Sequence, residues 1–359
     1  MGSQEQYTLL CLENPLLGNS MPSMTPLPQY LTNIASTDIQ GKGDEAMLQK
    51  YGLKPNDAIL AEEKHMGLYE DLIQNHDAKL IAGGAAQNTA RGAQYILPPS
   101  SVLYIGCVGD DHYASLLTDA CNAAGLRTEY LRSPKNSPTG RCGVIITGQD
   151  RSMCTHLAAA NDYELSHLKS APVWSLVQAA KFYYVGGYHL TVCPEAVLTL
   201  GKEAAEKDKV FMLSLSAPFI PQFFKSQVDE TAPYWDYVVG NETEVRTWAQ
   251  VHDDVEEKED VKVIARKLAE LPKVNGKRKR VVIVTQGTEE TVIAVQGEES
   301  VREFKVHVVG QEEIYDTNGA GDAFAGGFIA GIVEGKSLEE SVDRGHWLAS
   351  LSIKELGPS

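Results

Sequence analysis

The sequence predicts an α/β fold: a central, mainly parallel sheet flanked by helices, with a small β lid. Three observations carry this. From Val102 onward, short apolar runs alternate with stretches of helical spacing, the pattern of parallel strands joined by crossover helices. Two regions, 38–62 and 127–160, break the alternation with short strands and turns, and they are read as a lid formed from separated parts of the chain. A Gly-rich string, Asp-Thr-Asn-Gly-Ala-Gly-Asp at 316–322, stands where a final helix begins.

Taken in order, Tyr-Thr-Leu-Leu-Cys-Leu (7–12) is a buried strand, and 63–76 and 86–96 have helical apolar spacing. A strand at 102–107 ends among glycines, and a helix follows at 111–124. Arg127–Leu131 and Cys142–Thr147 read as β segments of the lid. Helices at 172–180, 195–207, 242–251 and 259–271 alternate with strands at 182–186, 209–215, 236–240 and 280–285. Helices at 319–334 and 337–353 close the pattern, and residues 1–359 read as a single large α/β domain. The segment 18–37, with three prolines between Met21 and Pro28 and no period, reads as a loop.

The chain has 359 residues, 43% apolar and 22% charged, the balance of a soluble globular protein. Its net charge of −16 argues against a nucleic-acid or anionic-membrane surface. No apolar run is long enough to span a membrane, and the first residues carry no basic, hydrophobic signal; a cytoplasmic location is expected, with the nucleus as a second compartment. The six cysteines are scattered, without metal-ligand spacing, and read as reduced packing residues.

An acidic protein that handles phosphates must supply aligned N–H groups where the phosphate sits. The small residues Gly319, Ala320 and Gly321 let backbone N–H groups converge at a helix N-terminus, and Asp322 in the first turn could take a proton from an attacking hydroxyl. The plainer alternative is a helix-favouring Asp beside a close packing contact. Gly-Asn-Glu-Thr-Glu (240–244) follows a strand; Asn241 and Glu244 could together organise hydrated Mg²⁺, or form a capping box. Val-Thr-Gln-Gly (284–287) closes a strand near the same edge, so Thr285 and Gly287 could line the nucleotide, or form a simple turn.

Gly83 and Gly84 precede a helix and allow close approach of a ligand, and Asn88 could bond a ribose hydroxyl; a tight turn with a helix cap is the alternative. Arg151 in the lid is a candidate γ-phosphate clamp or a surface arginine.

Together these strings resemble the ribokinase-like (PfkB) carbohydrate kinases over nearly the whole chain. Asp-Thr-x-Gly-Ala-Gly-Asp points to the wider family. Asn318 within it, with Leu-Ser-Ala-Pro-Phe (215–219), Leu-Lys-Pro-Asn-Asp (53–57) and Leu-Ala-Ala-Ala-Asn (157–161), points to the branch that acts on adenosine. The resemblance implies ATP as co-substrate, Mg²⁺, possible use of a monovalent cation, and action as a monomer. It implies Asp322 as base, Gly319 to Asp322 as anion hole, Arg151 as lid cation, and Asn241 with Glu244 organising Mg²⁺ through water. Adenosine would be held by Asn14, Asp38, Gly84 and Asn88, with Leu16, Leu60, Phe219 and Asn318 around the base. The aromatic pair expected near the adenine stands here as Tyr188-His189.

The largest departure from the family pattern is the block 18–37, which separates Leu17 from Asp38 where Leu-Leu ordinarily runs straight into Asp-Ile. It reads as a translated, unspliced intron. Its twenty codons keep the frame; Gly18-Asn19 can encode a GTAA donor, Tyr30-Leu31-Thr32 a branch point, and Thr37 with the next base a CAG acceptor. As protein, it would be an exposed loop that loosens Asp38.

Overall fold

A computed structural model describes residues 7–13, 38–54, 58–147, 150–252, 259–317 and 319–355; for Ala58, Leu60, Asp150 and Arg151 the description is confined to the backbone. The strands in chain order are β1 (Leu9–Leu12), β2 (Asp38–Lys42), β3 (Ala58–Leu60), β4 (Lys79–Ile81), β5 (Val102–Val108), β6 (Arg127–Arg132), β7 (Arg141–Thr147), β8 (Asp150–His156), β9 (Phe182–Gly186), β10 (Val210–Ser214), β11 (Tyr237–Asn241), β12 (Val281–Gln286), β13 (Glu289–Val295) and β14 (Arg302–Phe304).

Nine of them form one sheet in the order β14-β13-β12-β11-β10-β9-β1-β5-β6. From β12 to β6 every pairing is parallel; β13 and β14 are added antiparallel at one end. A parallel sheet is covered on both faces, and β1 shows how its sequence meets that demand. Leu10 and Leu12 join one core with Leu200 and Leu268, while Leu9 and Cys11 join the opposite core with Ala90, Phe324 and Phe328. All seven residues of β5 are buried for the same reason.

Five strands form a second sheet in the order β3-β8-β7-β2-β4. It closes over its own core, in which Ile39 and Ile145 meet Leu68 and Leu72 of the helix Leu68–Asn75.

The secondary-structure reading holds for most elements, and the differences concern partnership. The β segment expected in the lid at Arg127–Leu131 is observed as Arg127–Arg132. It is instead the edge strand of the large sheet, parallel to β5 with Leu103 opposite Arg127. The helix His112–Ala123 is the crossover that returns the chain beside β5, so this strand completes a βαβ unit. Lys79–Ile81 takes a place in the small sheet, antiparallel to β2. The helix Glu45–Tyr51, within a region expected to hold few helical patterns, is bounded by an Asp44 cap on the Met47 N–H and a left-handed Gly52.

All six cysteines are buried free thiols. Among the described residues no helix is long and apolar enough to cross a membrane. The block 18–37 lies outside the described residues.

Candidate active site

In a parallel sheet, ligands bind beyond the carboxyl ends of the strands. Here that edge presents Glu13 after β1, then Gly186, Ser214, Asn241 and Gln286 at the ends of β9 to β12. Two helices start at the same edge, Ala85–Ile96 and Ala320–Val333, and pack together through Ala86, Ala90, Phe324 and Phe328.

Gly319 caps the second of these in the left-handed conformation, φ 83°, and as a glycine it makes no side-chain cap bond. The first turn Ala320-Gly321-Asp322 thus begins without a cap from its own N-cap residue, an arrangement that suits an anion. Asp322 is half-buried in this turn. Its Oδ2 accepts a 3.0 Å hydrogen bond from Asn88 Nδ2 of the neighbouring helix. Burial, and then the nearby charges of Glu13, Glu244 and Asp38, hold its carboxyl well above the usual carboxylate range. A carboxylate so raised is a stronger base toward a hydroxyl proton.

Asp38 opens β2 and is buried. Its carboxylate lies against Gly83: a Cβ at that glycine would sit 2.9 Å from Asp38 Oδ1. Gly84, at φ 104°, then turns the chain into the helix that carries Asn88. The structure thus brings Asp38, Gly83, Gly84, Asn88 and Asp322 into one connected region, although they come from opposite ends of the chain.

Asn241 and Glu244 form a full reciprocal cap at the start of the helix Glu242–Val251. The Asn241 N–H and Nδ2 donate to Glu244 Oε2 and Oε1 at 2.9 and 2.8 Å, and the Glu244 N–H donates to Asn241 Oδ1 at 2.9 Å. The capping alternative is therefore realised, and it fixes the carboxylate at the sheet edge. Burial pushes the Glu244 carboxyl up to about 7. Among the described residues no group of three or more His, Cys, Asp or Glu could cage a metal. One oriented carboxylate with spare lone pairs suits Mg²⁺, which keeps most of its water and takes phosphate oxygens. Thr285 lies beside Asn241 in the parallel register of β11 and β12, and Gly287 stands exposed in the following turn at φ 63°.

On the other side of Gly186, the Tyr188 and Phe219 rings meet at 5.9 Å, with Phe219 36% exposed. His189 is fully buried, edge-on to Tyr163 at 4.8 Å, and both ring nitrogens lack a hydrogen-bond partner among the described residues. Burial holds it neutral, with a pKa of about 3.

Leu60 and Arg151 lie in strands β3 and β8 of the small sheet, with Arg151 opposite Ile146. Asn14, Leu16 and Asn318 lie outside the described residues. Sequence reasoning missed Glu13 as a site residue. The available signal was a charged residue ending a strand otherwise made of Leu-Leu-Cys-Leu.

A glycine-capped helix start, a buried carboxylate beside it and a second carboxylate fixed at the same sheet edge are the kinds of groups a phosphotransferase with a hydroxyl acceptor needs. Comparison with known proteins agrees. Residues 45–359 match the profile of the pfkB family carbohydrate kinases, and the chain belongs to that family. It is similar to the adenosine kinase of Schizophyllum commune, at 48% identity over 98% of this chain and 96% of that protein. Among solved structures it resembles Anopheles gambiae adenosine kinase in complex with P1,P4-di(adenosine-5) tetraphosphate: TM-score 0.84, 42% identity, covering 95% of this chain and 94% of the other. It also resembles Schistosoma mansoni adenosine kinase in complex with adenosine and AMP: TM-score 0.84, 35% identity, covering 99% and 98%.

Proposed function

We propose that the chain transfers the γ-phosphoryl group of ATP to the 5′-hydroxyl of adenosine, giving AMP and ADP. The observation that carries the mechanism is the Asn88–Asp322 hydrogen bond at the glycine-rich helix start. The acceptor assignment rests on relatives that are adenosine kinases over nearly their whole length.

Asp322 accepts the proton of the 5′-hydroxyl as its oxygen attacks the γ-phosphorus, and the bond to the β–γ bridging oxygen breaks to release ADP. The N–H groups of the Gly319–Asp322 turn face the charge carried by the transferring group. Asn88 holds the carboxylate in place. Asp38, buried against Gly83, accepts from the ribose hydroxyls, with Asn14, Gly84 and Asn88 completing the sugar site. Leu16, Leu60, Phe219 and Asn318 surround the base, and Arg151 in the small sheet acts as the cation of a closing lid. Mg²⁺, when bound, neutralises charge on the phosphate oxygens. Glu244, oriented by Asn241, would hold it through water, with Thr285 and Gly287 lining the nucleotide. The reading includes action as a monomer in the cytoplasm and nucleus, with a monovalent cation as activator.

The test is AMP formation by the purified chain from ATP–Mg²⁺ and a panel of nucleosides and sugars. Adenosine should give the highest kcat/KM; a sugar or another nucleoside ahead of it overturns the acceptor assignment.

A further inference from the structure

Glu13 is a fully buried carboxylate at the carboxyl edge of the sheet. Its backbone is fixed: the Glu13 N–H donates to Ile105 O at 3.2 Å, and Tyr104 OH donates to Glu13 O at 2.8 Å. Its side chain crosses from β1 to the start of the helix Ala85–Ile96, where Oε2 accepts from the Ala86 N–H at 2.7 Å. That helix has no cap from its own Gly84, so Glu13 serves as a cap supplied from 73 residues away. Space for the carboxylate comes from Gly186 at the end of β9: a Cβ there would fall 1.8 Å from Glu13 Oε1. Two residues beyond Ala86 on the same helix, Asn88 holds Asp322.

We propose that Glu13 is a positioning residue for phosphoryl transfer: by capping the helix at Ala86 it fixes the turn that presents Asn88 to Asp322. The inference rests on Asp322 as the base.

The location of Glu13 gives it a second effect on the same residue. Burial pushes its own carboxyl up to about 8, partly offset by the Ala86 and Tyr188 N–H groups. Glu13 is also the largest of the neighbouring charges that raise Asp322, ahead of Glu244 and Asp38. The other titratable groups whose fields couple to Glu13 are Cys11 of β1, Tyr104 of β5, Tyr184 of β9 and Tyr188 beyond it, all held in their neutral forms by burial. Two carboxylates coupled in this way lose their protons in successive steps that belong to the pair. Removing the Glu13 charge leaves Asp322 with one fewer like charge, so its ionisation moves to lower pH.

The experiment compares Glu13→Gln, Glu13→Ala and Asp322→Asn in the full chain, following kcat, KM and the pH profile of kcat/KM. Glu13→Gln keeps an acceptor for the Ala86 N–H. It should retain kcat within a few-fold while the acidic limb moves to lower pH. Glu13→Ala removes the acceptor and should lower kcat about tenfold or more, with the KM for ATP little changed. An alanine variant with wild-type kcat overturns the positioning role of Glu13, as does a glutamine variant that loses kcat as fully as the alanine variant. Asp322→Asn reports separately: retained turnover there overturns the base assignment beneath it. Should the alanine variant fail to fold, Gly186→Ala displaces the same carboxylate and should lower kcat in the same way; a Gly186→Ala variant with wild-type kcat overturns the role of Glu13.

Discussion

Asn88 Nδ2 donates to Asp322 Oδ2 at 3.0 Å, joining residues 234 positions apart at the adjacent starts of two packed helices. The bond fixes one oxygen of the carboxylate; in the proposed reaction the other would take the proton of the substrate hydroxyl. Asn88→Ala should therefore lower kcat about tenfold or more while changing the melting temperature little. Steady-state kinetics with a thermal melt checks this; an unchanged kcat contradicts the orienting role.

The raised Asp322 carboxyl has a kinetic consequence. Its protonated form cannot accept a proton, so kcat/KM should rise with pH as Asp322 ionises, along a limb well above the ordinary carboxylate value of about 4. A pH–rate profile already flat above pH 5 contradicts this environment for the base.

Gly83 and Asp38 make a prediction for binding. A methyl at Gly83 would press on Asp38 Oδ1 at 2.9 Å. If Asp38 holds the ribose as proposed, and not the reacting oxygen, Gly83→Ala should raise the KM for adenosine about tenfold with kcat less affected. Initial-rate data at saturating ATP separate the two parameters.

His189 makes a prediction for stability. In the unfolded chain its ring gains a proton near pH 6.5, whereas burial holds the folded ring neutral until about 3. The stability contributed by neutral His189 is complete above pH 6.5 and falls as pH drops toward 3. Both ring nitrogens are buried without partners among the described residues, so His189→Phe should stabilise the protein by about 1–3 kcal/mol at neutral pH and by more in acid. Denaturant melts at pH 7 and pH 5 test this; a destabilised variant at both contradicts it.

The order of elements was legible in the sequence, and the strings that the fold gathers at the sheet edge stood out there, because both rest on local signals. Parallel strands covered on two faces read as apolar runs, and the helix start at 320 is marked by Gly-Ala-Gly. Asn241 and Glu244 were legible as either a cap or a metal-organising pair, and the structure shows that the cap itself orients the carboxylate. Other features depend on tertiary partners. Arg127–Arg132 has the same local pattern in either sheet, and only its register with β5 assigns it. Lys79–Ile81 is too short to carry a period. Glu13 looks like an ordinary polar residue at a strand end until Ala86 and Gly186 are brought to it.

The block 18–37 gives a prediction at the level of the gene. Transcripts should lack the corresponding 60 nucleotides, joining Leu17 to Asp38. Reads that retain the block in the majority contradict this. At the protein level, deletion of 18–37 should lower the KM for adenosine, since Asp38 would then follow β1 closely; a deletion that leaves KM unchanged contradicts the loosening of Asp38.

The central claim is that Asp322 is the base of a phosphoryl transfer to adenosine. Its most direct test is AMP formation by Asp322→Asn beside the wild-type chain, with adenosine affinity measured on both. The account predicts a fall in kcat of about 10²–10⁴-fold with adenosine affinity largely kept. A variant that forms AMP at the wild-type rate would contradict it.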